Sequence, residues 1–238
     1  MVRRTRAEME ETRASLLATA RKVFSERGYA DTSMDDLTAQ AGLTRGALYH
    51  HFGDKKGLLL AVVEQIDAEM DDRLQTISER ADDLWDGFRS RCRAYLEMSL
   101  EPEIQRIVLR DARAVLGGAS PDSQRHCVAS MQGILQELIH QGIVADASPR
   151  ALASLIYGSL AEAAFWIADG DEGAARLIEG VAALELLLRG LLVKRSSRWP
   201  WNRTFSASCC AMPGRSWAAL HRTRSAIASS RCKGLSSR

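Results

Sequence analysis

Up to about residue 195, apolar side chains recur at three- and four-residue steps, and no run of strand length alternates apolar with polar. A step of three to four gathers apolar residues on one face of a helix, whereas a half-buried strand needs a step of two. The chain is therefore expected to be all-α. Punctuation then divides it. Leu16, Leu17, Ala20, Val23 and Phe24 mark a first helix that stops at Gly28, a residue suited to a helix C-terminus. Ser33, with Asp36 three positions on, has the layout of a capping box and opens a short second helix carrying Met34, Leu37 and Ala41. Gly42 closes that helix, Thr44 is placed to cap the next, and RGALYHHF forms it before Gly53 and Asp54 interrupt. Two such helices of about two turns, joined by a tight Gly-containing turn, make a helix-turn-helix.

Longer helices follow. Asp54 can cap a run to about Ser78, and Trp85, Phe88, Cys92, Tyr95 and Leu96 stripe another. Pro102 opens PEIQRIVLRDARAVLG, which stops at Gly117 and Gly118. Ser120 with Pro121, and Ser148 with Pro149, each place a capping side chain before a proline tolerated at the first helical position. The last two helices are expected over about 149–168 and 172–193.

The net charge of +2 conceals an uneven distribution. Residues 1–56 carry +2 and residues 57–195 carry −8, while 196–238 hold 8 basic residues and no acidic one. That last stretch has no sustained helical period and is rich in Ser and Arg, so it is expected to be a disordered, dispensable tail. The N-terminus MVRRTRAEMEETRASLL places charges where an export signal needs an apolar run, and a cytoplasmic protein is expected. The apolar run 151–168 carries Glu162 and reads as a buried helix rather than a membrane span. Cys92 and Cys127 stand alone in helical patterns, and Cys209, Cys210 and Cys232 lie in the tail, so no zinc-type spacing is present.

The helix from Thr44 carries the chemistry. A recognition helix must be short, expose its leading half and offer donors to phosphates and base edges. Thr44, Arg45 and Gly46 stand at the leading end, where free N–H groups and the helix dipole attract phosphate. Arg45 can fork onto a guanine edge, and the bare Gly46 lets a backbone approach. Tyr49, His50 and His51 follow with phenol and imidazole donors, Lys55 and Lys56 serve as phosphate anchors, and Leu48 and Phe52 supply the buried side. His50 and His51 are adjacent, so they project apart and cannot chelate one metal as an i, i+4 pair would. Arg3, Arg4 and Arg6 could follow the DNA backbone or minor groove as an arm, although a short basic terminus is more often just mobile and solvated. Nucleophile elbow, phosphate-cradling glycine loop and zinc-spaced histidines are all missing from the sequence, so neither an enzyme nor a cofactor is expected.

The run TSMDDLTAQAGLTRGALYHHFGDKKGLLLAVV resembles the DNA-binding domain of the tetracycline-repressor (TetR) family over about residues 10–62. The resemblance implies that Thr44, Arg45, Gly46, Tyr49, His50, His51 and Lys55 occupy operator-contacting positions, with Ser33 at a phosphate-contacting helix start. It also implies a larger helical ligand-binding and dimerisation domain behind the three-helix DNA-binding head. The expected division is 1–56, 57–195 and a tail over 196–238. Such a domain needs an apolar cavity for a small effector, and the bulky Trp85, Tyr95, Met131 and Trp166 are its candidate walls. The terminal segments ALASLIYGSLAEAAFWIA and LIEGVAALELLLRGLLV carry more apolar surface than a lone bundle covers. Their small Gly158, Ala161, Ala164 and Gly180 would let helices approach closely, so a homodimer through four helices is expected. Together these point to an effector-released repressor on a near-palindromic operator. The alternative is a helical small-molecule-binding or scaffolding dimer with no specific DNA binding.

Overall fold

A computed structural model describes residues 5–193. The expectations placed on Arg3, Arg4 and the 196–238 tail, including its three cysteines, fall outside the described residues. Nine helices occupy the rest, with no strand among the described residues. Helix α1 (Arg6–Arg27) starts from a capping box in which Thr5 accepts from Glu8 N–H, and it ends at Gly28, φ +85°. Arg6 is the first residue of α1 and pairs with Glu10, so it belongs to the helix rather than to an arm. Helix α2 (Met34–Ala41) has the capping box of Ser33 and Asp36, and Gly42 takes the left-handed conformation that ends it, φ +64°. Thr44 caps α3 (Arg45–Phe52), and Asp54 caps α4 (Lys55–Glu79).

These four elements share one core. Leu16, Ala20, Val23 and Phe24 of α1 close against Leu37, Leu48, Leu58 and Val62, all nearly or wholly excluded from solvent. Each such leucine contributes roughly 1.5–3 kcal/mol by burial, enough to fix two helices too short to persist alone. The core clamps the inner edge of the helix-turn-helix and leaves its outer edge wet.

The second half is a helical body. Helix α5 (Leu84–Met98) packs along α4, α7 (Pro121–His140) along α8 (Pro149–Ala168), and α9 (Gly173–Arg189) along α5 and α8. Ser120 and Ser148 cap α7 and α8 as their spacing predicts. The segment after Pro102, α6 (104–116), departs from expectation. Ile104–Ala112 winds as a π-helix before Arg113–Leu116 returns to the α form. The last helix is also shorter than its pattern suggests. It ends at Arg189, and the chain turns so that Val144 and Leu192 form an antiparallel bridge, with Ala145 N–H on Leu191 O and Val193 N–H on Ile143 O.

Helix α8 is long and apolar enough to cross a membrane by length and composition, and only part of it is buried here. Its inner side, Ala153, Leu160, Ala164 and Ile167, joins the core, while Leu155 is 69% exposed. The outer side of α9 likewise exposes Ile178 (73%), Leu186 (73%) and Leu187 (61%). The small residues do not form one outer stripe. Gly158 faces open space, whereas Ala161 and Ala164 line an internal cavity and Gly180 packs on Ile167.

Candidate DNA-binding face and internal cavity

The turn between α2 and α3 is fixed by Gly42 N–H on Ala39 O and Leu43 N–H on Thr38 O. The Thr44 hydroxyl accepts from Ala47 N–H at 3.3 Å, satisfying one of the orphan donors at the leading end of α3. Leu48 is wholly buried, so the helix cannot roll, and Tyr49 on the other side is half exposed. Thr44, Arg45, Gly46 and His50 are exposed, and His51 is half-buried with its ring beside those of His50 and Phe52. A Cβ added at Gly46 would meet only the Thr44 hydroxyl, at 3.8 Å, so nothing in the protein's own packing requires glycine there.

Two neighbours of this face are not apparent from the sequence. Arg45 Nε lies 3.0 Å from Asp35 Oδ1 in the first turn of α2, a solvent-exposed pair that orients the guanidinium at little energetic gain. Lys55 stands with Nζ 4.1 Å from the centre of the Tyr29 ring. Burial lowers the Lys55 pKa, and the nearby Asp111 and Asp31 oppose that shift. Ser33 is engaged as the α2 cap, accepting from Asp36 N–H at 3.0 Å. Among the described residues, no group of three or more His, Cys, Asp or Glu side chains is placed to hold a metal.

The body forms a partly open cavity of about 280 Å³ between α4, α5, α6, α7 and α8, just below the roughly 300–1,000 Å³ common for small-molecule sites. Of the four candidate wall residues, Tyr95 and Met131 line it; Trp85 and Trp166 do not. Trp85 is ten residues before Tyr95, about 15 Å along the α5 axis, and packs on Phe88 instead. Trp166 follows Phe165, which does line the cavity, and successive helical residues point about 100° apart. Trp166 therefore faces out, 42% exposed, beside a shallower depression that it shares with Arg113 and Glu162.

The sequence reading missed the cavity's polar residues. Arg91 is 2% exposed and donates through Nη2 to Asp71 Oδ1 at 2.8 Å. Asp67 Oδ2 accepts from the Ser123 hydroxyl at 2.8 Å, and burial raises the Asp67 pKa. Burial also raises the Tyr95 phenol well above its usual value, the Tyr157 phenol to about 12 and the Cys127 thiol to about 11. These three groups stay protonated at neutral pH, and the two phenols can act as donors.

Helix α6 joins cavity and head. Ile104, Val108 and Leu109 line the cavity. From the same helix, Arg106 Nη2 donates to Arg27 O at 2.8 Å, and Asp111 Oδ2 accepts from Tyr29 N–H at 2.8 Å. The contact at the end of α1 is tight: any Cβ at Gly28 would collide with the Arg106 guanidinium. Arg21 of α1 forks onto Glu69 of α4 and onto Glu103 just before α6, with all four contacts between 2.6 and 2.8 Å.

A capped helix-turn-helix with one packed and one bare edge, carried on a helical body with an internal cavity, is the build of a DNA-binding regulator. The sequence family described as "Bacterial regulatory proteins, tetR family" matches residues 16–62, and "Tetracyclin repressor-like, C-terminal domain" matches residues 85–191. A crystal structure of a TetR-family transcriptional regulator from Pectobacterium atrosepticum is 85% identical, with a TM-score of 0.77, covering 80% of this chain and 99% of that one. The chain belongs to the TetR family. Among curated relatives, the probable HTH-type transcriptional regulator ArpR of Pseudomonas putida is 43% identical over 84 residues, 35% of this chain and 40% of that protein. The HTH-type transcriptional regulator TtgR, also of Pseudomonas putida, is 42% identical with the same coverage. The matches thus span about 40% of the length of these curated relatives.

Proposed function

We propose that this chain is a ligand-responsive cytoplasmic transcriptional repressor that binds a near-palindromic operator as a homodimer and is released by a small apolar or amphipathic effector. The observation that carries the reading is the outer edge of α3, where Arg45, Gly46, Tyr49 and His50 are exposed while Leu48 anchors the helix from behind. On DNA, Arg45 exchanges its weak pair with Asp35 for a base edge. Gly46 admits the sugar-phosphate backbone. Thr44, Tyr49, His50, His51 and Lys55 meet phosphates and neighbouring groups, and the Ser33 hydroxyl, an acceptor within its own cap, offers its proton to a phosphate.

The proposed division places DNA reading in residues 1–56 and effector binding and dimerisation in 57–195. Helix α4 crosses that division as one rod, about 37 Å long by its 25 residues. Its start carries Lys55, and Asp67, Met70, Asp71 and Leu74 from its middle line the cavity. A second copy covers the outer faces of α8 and α9, where Leu155, Ile178, Leu186 and Leu187 are otherwise left in water. The two α3 helices then meet half-sites about 34–36 Å apart, or somewhat more. An effector that prefers a different spacing of the α6 and α4 wall lowers DNA affinity, by no more than its own preference between the two states.

The test is fluorescence anisotropy of the full chain on its own upstream DNA and on a scrambled duplex, across a salt series. Tighter binding to the upstream DNA that persists as salt rises supports the reading. Equal binding to both duplexes, lost together in salt, would leave only a basic surface and favour a helical binding or scaffolding dimer.

A further inference from the structure

The cavity's charges do not balance. Arg91 and Asp71 form a hydrogen-bonded pair, with Arg91 Nη1 also 3.4 Å from Gln75 Oε1 and the second Asp71 oxygen 3.2 Å from His126 Nε2. Asp67 has only the neutral Ser123 hydroxyl, and among the described residues no Lys, Arg or His forms an ion pair with it. Glu64, one turn back on α4, adds repulsion rather than relief, and burial disfavours the carboxylate further. The protonated Tyr95, Tyr157 and Cys127 supply no charge. A half-buried carboxylate without a counter-charge carries a cost that a suitable ligand removes.

We infer that the cavity takes a lipophilic amine, its protonated nitrogen paired with Asp67 and its apolar body lying among Leu74, Val108, Leu160, Tyr157 and Phe165. The inference rests on the reading of this cavity as the effector site. With such a cation bound, the ligand offsets the charge of Asp67, while Arg91 and His126 stay on Asp71. A carboxylate ligand would face Asp67 while Arg91 is already engaged, and a neutral one would leave Asp67 uncompensated. Tyr95 and Tyr157 also line the cavity and bring aromatic rings beside a cation, whereas the Phe165 ring already carries the Arg113 guanidinium, 3.9 Å from its centre.

The experiment titrates the full chain, as wild type and as Asp67→Asn, with three probes built on one ring system: naphthylmethylamine, naphthylmethanol and naphthoate, cationic, neutral and anionic at neutral pH. Calorimetry on the wild type should give the amine about tenfold or more over the alcohol, with the acid weakest. In Asp67→Asn the spread between amine and alcohol should fall to about twofold or less. Naphthoate binding as tightly as the amine, or an amine preference that survives Asp67→Asn, would overturn the inference while leaving the cavity a ligand site. If none of the three binds the wild type, the effector-site reading itself fails, and the inference with it. Should Asp67→Asn not fold, the order of the three probes on the wild type decides alone.

Discussion

The head and the body use polar residues in opposite ways. In the head, the chemistry faces outward on α3 and is held by neighbours close in sequence: Thr44 caps its own helix, Leu48 lies behind it, and Arg45 pairs with Asp35 ten residues back. In the body, the chemistry faces inward and is assembled from distant segments. Ser123 reaches Asp67 across 56 residues of chain, and Arg91 reaches Asp71 across 20. A face meant for a large external partner stays solvated until that partner arrives, so local structure suffices to present it. A site for a small molecule must be dry, so it exists only once several helices have closed around it. Helix α6 spans the two, one side in the cavity and the other on the end of α1.

The separation between the halves breaks most visibly at Leu48. Leu48→Ala should cost the head about 2–5 kcal/mol and abolish DNA binding, since α3 loses its fully buried anchor. The cavity should still bind naphthylmethylamine in calorimetry; loss of both functions together would mean that the halves fold as one inseparable unit. The coupling is next in size. Asp111→Ala removes the acceptor for Tyr29 N–H and should reduce the linkage between ligand and DNA by about 0.5–2 kcal/mol, with each binding event alone little changed. Anisotropy on the operator with and without ligand measures that linkage, and an unchanged value would route the signal through another contact.

The smallest expected effect concerns Asp67. Its pKa is raised by burial, so the folded state holds the proton more tightly than the unfolded chain does. Stability from this group is therefore fully present below the ordinary carboxylate value of 3.8 and declines as pH rises through the folded value. Asp67→Asn should melt at or slightly above the wild type at neutral pH, and the difference should vanish in acid. A melt well below the wild type at neutral pH would instead give Asp67 a structural role.

Much of the head is legible in the sequence because its signals are local. Ser33, Gly42, Thr44, Gly53 and Asp54 each act on the backbone within a few residues, and the structure puts helix ends where they predict. The body is legible as helices but not as a cavity. Bulk alone selected Trp85 and Trp166, which lie outside the walls, along with Tyr95 and Met131, which lie within them. A better signal was present. Arg91 sits inside the stripe of Phe88, Cys92 and Tyr95, and Asp67 and Asp71 sit inside that of Val63, Ile66, Met70 and Leu74. A charge on an apolar face must find a partner or a ligand, whereas an aromatic there needs neither. The π winding of Ile104–Ala112 has no counterpart in the residue pattern, which a regular α-helix would satisfy as well. The early end of α9 reflects the pairing of residues 143–145 with 191–193, a contact between segments nearly fifty residues apart.

Whether Arg45 reads a base edge is decided by the ratio of affinities for the upstream DNA and a scrambled duplex. Measured by anisotropy at one salt concentration, Arg45→Ala should lose about 1–3 kcal/mol of that discrimination while keeping its affinity for the scrambled duplex. Lys55→Ala, measured beside it, should weaken both duplexes alike and lower the salt slope by about 1. An Arg45→Ala protein that folds, dimerises and discriminates as well as the wild type would contradict base reading by α3.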